Sequence, residues 1–526
     1  MIPQLFAFVI GFLLSFICGF PFTYFILRKK ASKLEISVYS LLLGISFPAI
    51  FSFLESYLIS FSQVFYFSLP LAIFNNFLFF AIGLALLLYK KISLNELKEF
   101  FELKLSISLS GLFPIFVLAL LAFVFYENIL GLGIAPKYYE FDPYFYMFTT
   151  QYLFAYGFIP KYDISAWPGK VTSHATTPLL PYITAFWTEL YMFLSNSSYS
   201  NNLLAYVASV YPPLSACFLT FAIIEILAHL YNKKIGLLGG FIVATMPIIV
   251  LSFSPGHAQE QPWGVMGVYL FIASYLLAAK EKTKKLGIFA GIIYGITLLG
   301  SKYFLVTALI APAFMILYST FEFFFGKEEN IKKFNIMNAF MCLTIAIFYA
   351  IYLPYASYTK VVQVVFGFIP VTLVIILFGL FYSFTLQLYT RTKLKKEENQ
   401  TLAKLIYFSS IAFVFTLLIL VSPIGKYVLG YIFFTASFAK PKIPLYMTVA
   451  EYAWSGFTFN FSQVFGLIAL HLPYNFFVVL ILLSSFIAIF VRGALGKREM
   501  LLLPSVIFAM AYMGFGEQKY LLHFAP

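Results

Sequence analysis

A chain of 526 residues that is 62% hydrophobic, 21% aromatic and only 10% charged is not an ordinary soluble domain, in which about 25% of residues carry charge. Its net charge of +13 does not point to nucleic acid, because the Lys and Arg residues stand in short clusters between apolar runs instead of on one domain face. What remains is an all-α, polytopic transmembrane protein in which those clusters act as topology signals.

A helix needs ~20 apolar residues to cross a hydrocarbon core of about 30 Å. Runs of that kind are predicted near 3–27, 36–60, 65–89, 106–130, 207–230, 235–252, 263–279, 286–300, 303–325, 335–354, 361–386, 402–422, 475–491 and 499–515. The first has no charged residue from Ile2 to Leu27 and is too long for the ~7–15-residue apolar stretch of a signal peptide, so it is read as a retained helix. The basic clusters lie at Arg28 to Lys33, Lys90 to Lys104, Lys233–Lys234, Lys280 to Lys285, Lys327 to Lys333, Arg391 to Lys404 and Arg492 to Arg498. With the amino terminus outside and strict alternation, all of them fall on one side, which the positive-inside rule makes cytoplasmic. The same alternation leaves large extracytoplasmic loops near 131–202 and 422–474 and a short one near 252–263. The three cysteines, Cys18, Cys217 and Cys342, sit inside apolar runs without metal or disulfide spacing and read as packing residues. Residues 1–105 are expected to form an N-terminal accessory transmembrane block, and 106–526 the main domain. Acids inside predicted spans, such as Glu55 and Glu225, read as capping helix contacts or facing a small polar cavity, an ion path being the other reading.

The chemistry is expected in the outer loops. Aspartate occurs only at Asp142 and Asp163, both in the first of them. Tyr138 to Phe148 reads YYEFDPYFYMF, placing Glu140 and Asp142 near the outer surface just after a span. Paired carboxylates there suit a hard divalent cation that keeps open positions for a lipid phosphate and stabilises charge on a departing one. An acid pair that merely solvates a loop is the plainer reading of the same triplet. The second loop reads SFSPGHAQEQPWG from Ser252, GSKYF spans Gly300 to Phe304, and AKPKIPLYMTVAEYAWSGFTFNFSQVFG runs from Ala439 to Gly466. Asn196 and Asn460 begin outer N-x-S triplets and are themselves potential glycan acceptors.

These segments resemble the catalytic subunit of archaeal and eukaryotic oligosaccharyltransferases, members of the GT-C glycosyltransferase superfamily, from about residue 110 onward. The likeness rests on EFDP (Glu140 to Pro143), the following Tyr-rich stretch, the W-P-G element at Trp167 to Gly169, and the tetrapeptide Thr448, Val449, Ala450, Glu451 after a basic, Ile-Pro segment. The resemblance implies a GT-C fold and transfer of a glycan from a polyprenyl (dolichyl-type) phosphate or diphosphate to protein asparagine. It implies Asp142 and Glu451 as catalytic carboxylates that hydrogen-bond the acceptor amide, and Asp142, Glu260 and Glu451 as ligands of Mg²⁺ or Mn²⁺. Glu140, Trp167, His257, Lys302 and Lys519 fall at substrate-binding positions. Glu260 stands where the family has an aspartate, Pro262 where it has a second acid or histidine, and Phe253 where it has an Arg; Lys519 replaces an Arg and so lacks the bidentate fork.

The implied partners are a lipid-linked oligosaccharide, an acceptor polypeptide and membrane lipids, with no nucleic acid, and the implied setting is a cell membrane with the active site extracytoplasmic. No counterpart of the family's globular carboxyl-terminal domain with its WWD-type motif precedes Pro526. The expectation is therefore a piece of a longer protein, a separate soluble domain or subunit that supplies the rest, or an acceptor other than a sequon. Another polyprenyl-phosphate-sugar transferase, which would not need the AKPKIPLYMTVAE segment, and a transporter or flippase, which leaves the outer aspartates unexplained, are the alternative functions.

Overall fold

The computed structural model of the protein describes residues 2–59, 66–102, 109–129, 142–160, 177–356, 369–389, 399–421, 487–493, 496–507 and 509. Among the described residues every regular element is helical. In chain order these are α1 (Ile2–Leu27), α2 (Lys33–Ile59), α3 (Leu69–Tyr89), α4 (Leu94–Phe101), α5 (Leu109–Ile129), α6 (Asp142–Tyr156), α7 (Leu179–Ser195), α8 (Asn201–Ala208), α9 (Tyr211–Leu230), α10 (Lys233–Thr245), α11 (Pro247–Ser252), α12 (Glu260–Glu281), α13 (Lys284–Gly300), α14 (Phe304–Phe325), α15 (Glu328–Ala356), α16 (Ile369–Leu388) and α17 (Gln400–Val421). Nine helices among the described residues are long and apolar enough to cross a membrane. Their outward faces carry large apolar side chains at helical spacing, such as Val9, Leu13 and Ile17 on α1 and Phe74, Phe77 and Leu78 on α3. Such faces are stable only against lipid, where a helix also satisfies every backbone group internally. The protein is a multi-pass membrane protein.

The chain divides into two compact units, one formed by residues 1–277, 288–304 and 344–366, the other by 278–287, 305–343 and 367–526. In the first unit α1 and α2 cross where Gly19 lies against the Ser40 carbonyl and Gly44 against the Ser15 carbonyl, so neither position has room for a Cβ. Backbone approach through small residues is how helices gain packing energy where lipid is as apolar as leucine. The charged stretch after α3 folds as α4, capped by the Ser93 hydroxyl, which accepts from the Glu96 N–H. It is held under the end of α1 by the Arg28–Glu96 ion pair at 3.0 Å and by Lys33 donating to the Glu99 and Glu102 carbonyls at 2.6 and 2.9 Å. Phe100 and Phe101 pack on Phe20. An apolar face turned to the bundle and a charged face turned away is the arrangement of a helix lying in the membrane interface.

The stretch predicted as the first long loop, 131–202, is not all loop among its described residues. It contains α6 and α7, and α7 is buried from Leu179 to Thr188. Its Tyr191 and Trp187 pack on Phe8 and Phe12 near the start of α1, and its Tyr182 on Phe53 of α2. The predicted span at 235–252 also differs from the structure. It is broken at Met246, which is extended (φ −68°, ψ 123°), with Pro247 opening α11. The proline ring disfavours helical backbone in the residue before it, and its missing N–H is no loss at a first helical position.

In the second unit Glu322 and Arg498 are both buried and paired at 3.2 Å. The Arg498 guanidinium also donates to the Gly493 carbonyl at 2.9 Å, and Asn330 donates to the other Glu322 oxygen. Asn335 joins the same unit's polar interior by donating to the Ser383 carbonyl at 3.1 Å and to Gln387 at 2.8 Å. Charge and hydrogen bonds are both satisfied around the Glu322–Arg498 pair.

Candidate functional site

Three segments of the first unit converge at the start of α12. A one-turn 3₁₀ helix, Pro255–His257, follows α11, and Glu260 opens α12 with its carboxylate at the helix amino terminus, where the backbone dipole favours negative charge. The junction of α13 and α14 supplies Gly300 to Phe304. From that junction Lys302 reaches back so that its Nζ lies 3.4 Å from Glu260 Oε1, while its backbone N–H donates to Glu260 Oε2 at 3.3 Å. Thr177, at the end of the first outer connection, donates its hydroxyl to the Gly300 carbonyl at 2.9 Å.

Close packing fixes this junction. The indole of Trp263 fills the space where a side chain at Gly300 would stand, and Gly264 lies against Ser301 and Tyr303. Gln261 Oε1 and Trp263 Nε1 are buried polar atoms with no hydrogen-bond partner among the described residues. Tyr294 of α13 and Tyr349 of α15 hydrogen-bond through their hydroxyls at 2.8 Å, and Tyr349, Tyr352 and Tyr355 are all fully buried along α15.

Of the residues singled out from sequence, Glu260 and Lys302 are therefore brought into contact, with His257 three residues before Glu260 on the same turn-rich connection. Asp142 is the first residue of α6; its side chain, and Glu140, Asp163, Trp167, Glu451, Asn460 and Lys519 entirely, lie outside the described residues. Thr177 and Trp263 were not foreseen. A threonine and a tryptophan carry no motif, and what gives them a role is the α13–α14 junction they pack against.

A second polar centre was only half foreseen. Glu35, Glu225 and His229 place their ligand atoms within 4.8 Å of one another, and Glu35 and Glu225 are buried. His229 Nε2 lies 2.9 Å from Glu35 Oε1 and 3.4 Å from Glu225 Oε2. Glu225 reads from sequence as an acid inside a span. The i,i+4 spacing that aims Glu225 and His229 along one face of α9 was the available signal, but the partner Glu35, far away in the chain, was not legible.

Neither the protein-family models nor the curated proteins contain a match to the chain. Solved structures do match. The archaeal oligosaccharyltransferase AglB from Archaeoglobus fulgidus, in complex with an inhibitory peptide and a dolichol-phosphate, is similar with a TM-score of 0.59 and 16% identity over 80% of this chain and 49% of that one. The apo form of the Archaeoglobus fulgidus oligosaccharyltransferase gives a TM-score of 0.57 at 15% identity, over 78% of this chain and 49% of that one. The same enzyme tethered to an acceptor peptide containing an NVT sequon gives 0.55 at 14%, over 78% and 48%. This chain spans about half the length of the solved proteins it matches. At such identities the likeness is one of fold, and it agrees with the resemblance read from EFDP and TVAE: this membrane protein has the fold of the archaeal oligosaccharyltransferases.

Proposed function

We propose that the protein is a glycosyltransferase of the oligosaccharyltransferase type, which moves a glycan from a polyprenyl (dolichyl-type) phosphate or diphosphate to protein asparagine at the extracytoplasmic face of the membrane. The observation that carries this reading is the oligosaccharyltransferase fold in a chain that independently has EFDP and TVAE in two predicted outer loops. The lipid donor and peptide acceptor follow from the same likeness, since one solved neighbour holds a dolichol-phosphate and another an acceptor peptide. Residues 106–526 form the catalytic domain in this reading, and 1–105 an accessory block.

An amide nitrogen is a poor nucleophile because its lone pair is delocalised into the carbonyl. In the proposed site Asp142 and Glu451 accept hydrogen bonds from the two N–H groups of the acceptor side chain and weaken that conjugation, which is electrostatic positioning more than outright deprotonation. The nitrogen forms a bond to the anomeric carbon, the bond from that carbon to the phosphate oxygen breaks, and the amide gives up one proton. The donor set of Asp142, Glu260 and Glu451 is all carboxylate oxygen, which fits Mg²⁺ or Mn²⁺. Such an ion supplies charge stabilisation for the departing phosphate. Lys302, tethered to Glu260, adds a fixed positive charge on the donor side, with His257, Glu140, Trp167 and Lys519 as further substrate contacts.

The test is transfer of a labelled glycan from a polyprenyl-linked donor to an asparagine-sequon peptide by the purified full-length protein. Turnover with wild type, and loss of about 10²-fold or more in Asp142→Ala and in Glu451→Ala without unfolding, is the expected result. Undiminished transfer in both variants removes the assignment.

A further inference from the structure

We propose that Glu35, Glu225 and His229 form a binding site for a zinc-type divalent metal ion at the basic end of the first unit, separate from the carboxylates assigned to transfer. The position follows from helix direction. Glu35 lies in the first turn of α2, just after the Arg28 to Lys33 cluster, and His229 lies in the last turn of α9, just before Lys233–Lys234. The chain then runs through α10 and α11 before reaching Glu260 at the outer end.

Geometry is the first argument. Ligand atoms ~2.0–2.1 Å from one metal stand about 3.3 Å apart in a tetrahedral shell and about 2.9 Å apart at right angles. The two contacts of His229 Nε2, at 2.9 and 3.4 Å, fall on those values. Both converge on the same ring nitrogen, which has one proton at most and so cannot make two good hydrogen bonds. A bound cation replaces that shared proton and faces all three ligand atoms.

Charge is the second. Among the described residues no lysine or arginine forms an ion pair with Glu35 or Glu225. Three of the basic side chains that flank these helix ends are engaged elsewhere: Arg28 with Glu96, Lys33 with the Glu99 and Glu102 carbonyls, and Lys233 over the Phe113 ring. Two ionised carboxylates beside one imidazolium carry one negative charge too many, which a proton on one acid or a metal ion cancels, in a wall that includes the fully buried Tyr39, itself packed on Phe221 and Phe289. Burying an uncompensated charge is expensive. Two carboxylates, a neutral imidazole and a divalent ion sum to zero.

Preorganisation is the third. Glu225 and His229 sit at i and i+4 on α9, the spacing that lets one helix face chelate an ion. Glu35 is oriented by a capping box: its backbone N–H donates to the Ser32 hydroxyl at 3.1 Å, and its Oε2 accepts from the Ser32 N–H at 2.6 Å. That leaves Oε1 aimed at His229, a ligand held by an outer hydrogen bond as metal ligands commonly are. One nitrogen and two carboxylate oxygens, with a fourth position for water, suit zinc. Bound there, the ion ties α2 to α9.

The experiment uses full-length protein in detergent, stripped with chelator and then titrated with Co²⁺ as a spectroscopic substitute for zinc. Titration is done in the Asp142→Ala/Glu451→Ala double variant, which keeps only Glu260 of the three carboxylates assigned to transfer, so that failure of that assignment and failure of this one are read separately. The expected result is one Co²⁺ per chain with the visible absorption of a low-coordinate histidine-ligated site. His229→Gln and Glu35→Gln, added separately, each weaken binding by about 10-fold or more, and zinc displaces the signal. Absence of the signal in the folded double variant overturns the proposal, as does a signal unchanged by His229→Gln.

Discussion

The two units each bury an ionic centre, and the two centres are built on opposite plans. In the second unit Glu322 meets one guanidinium, and the remaining hydrogen-bonding capacity is taken up by Asn330 and the Gly493 carbonyl. In the first unit two acids face one imidazole, and among the described residues no lysine or arginine pairs with them. The former is complete as a piece of protein, whereas in the latter two acids share one imidazole and need a further proton or cation for neutrality. A buried ion pair with all its partners ties elements together; a buried centre with an excess of acid is a place for a cation from solution.

The difference can be broken from either side. The largest effect is expected for Arg498→Ala, which strands the Glu322 carboxylate in the interior. Loss of one partner from a buried pair costs about 3–5 kcal/mol, so unfolding of the detergent-solubilised variant is expected at much lower denaturant, with the double change Glu322→Leu/Arg498→Leu recovering most of the loss. Chelator is expected to leave this centre untouched.

Removal of metal is expected to act on the other centre. An ion present at ~100 times its dissociation constant stabilises the folded state by about 2.7 kcal/mol. Chelation should therefore lower the midpoint of thermal unfolding more in wild type than in His229→Gln, where only an ion at the transfer carboxylates is left to remove. Equal sensitivity to chelator in both proteins would erase the contrast between the two centres.

The Glu260–Lys302 pair gives the smallest stability change and sharpens the comparison by what it affects instead. Lys302 is about one-third exposed (34%), and water-screened pairs are worth about 0–1 kcal/mol. Lys302→Met should leave the unfolding transition within that range while raising the donor KM in the transfer assay. A large drop in stability would place this pair with Glu322–Arg498 as a structural tie.

Much of the membrane architecture was legible because long apolar runs are strong signals. Residues 3–27 and α1, or 303–325 and α14, agree to within a residue or two. Local chemistry changed the picture at Pro247, where a hydrophobic run that reads as one span is split because the residue before proline leaves the helical region. The stretch from Lys90 to Lys104 reads as a charged boundary, yet Phe100 and Phe101 turn it into an interfacial helix under α1. The candidate site was legible residue by residue but not in its pairings. Glu260 and Lys302 were each singled out, and only packing at Gly300 and Trp263 sets them against each other. Glu35 was unremarkable in sequence because its partners come from a helix nearly two hundred residues later.

The most direct measurement is a double-mutant cycle on glycan transfer, using Asp142→Asn, Glu451→Gln and the two combined, with rates followed across added Mn²⁺. Groups that grip one acceptor amide and one ion act as a unit, and their losses do not add. The account predicts a combined variant no slower than the slower single one; a combined rate equal to the product of the two separate losses would show that these carboxylates work apart and contradict it.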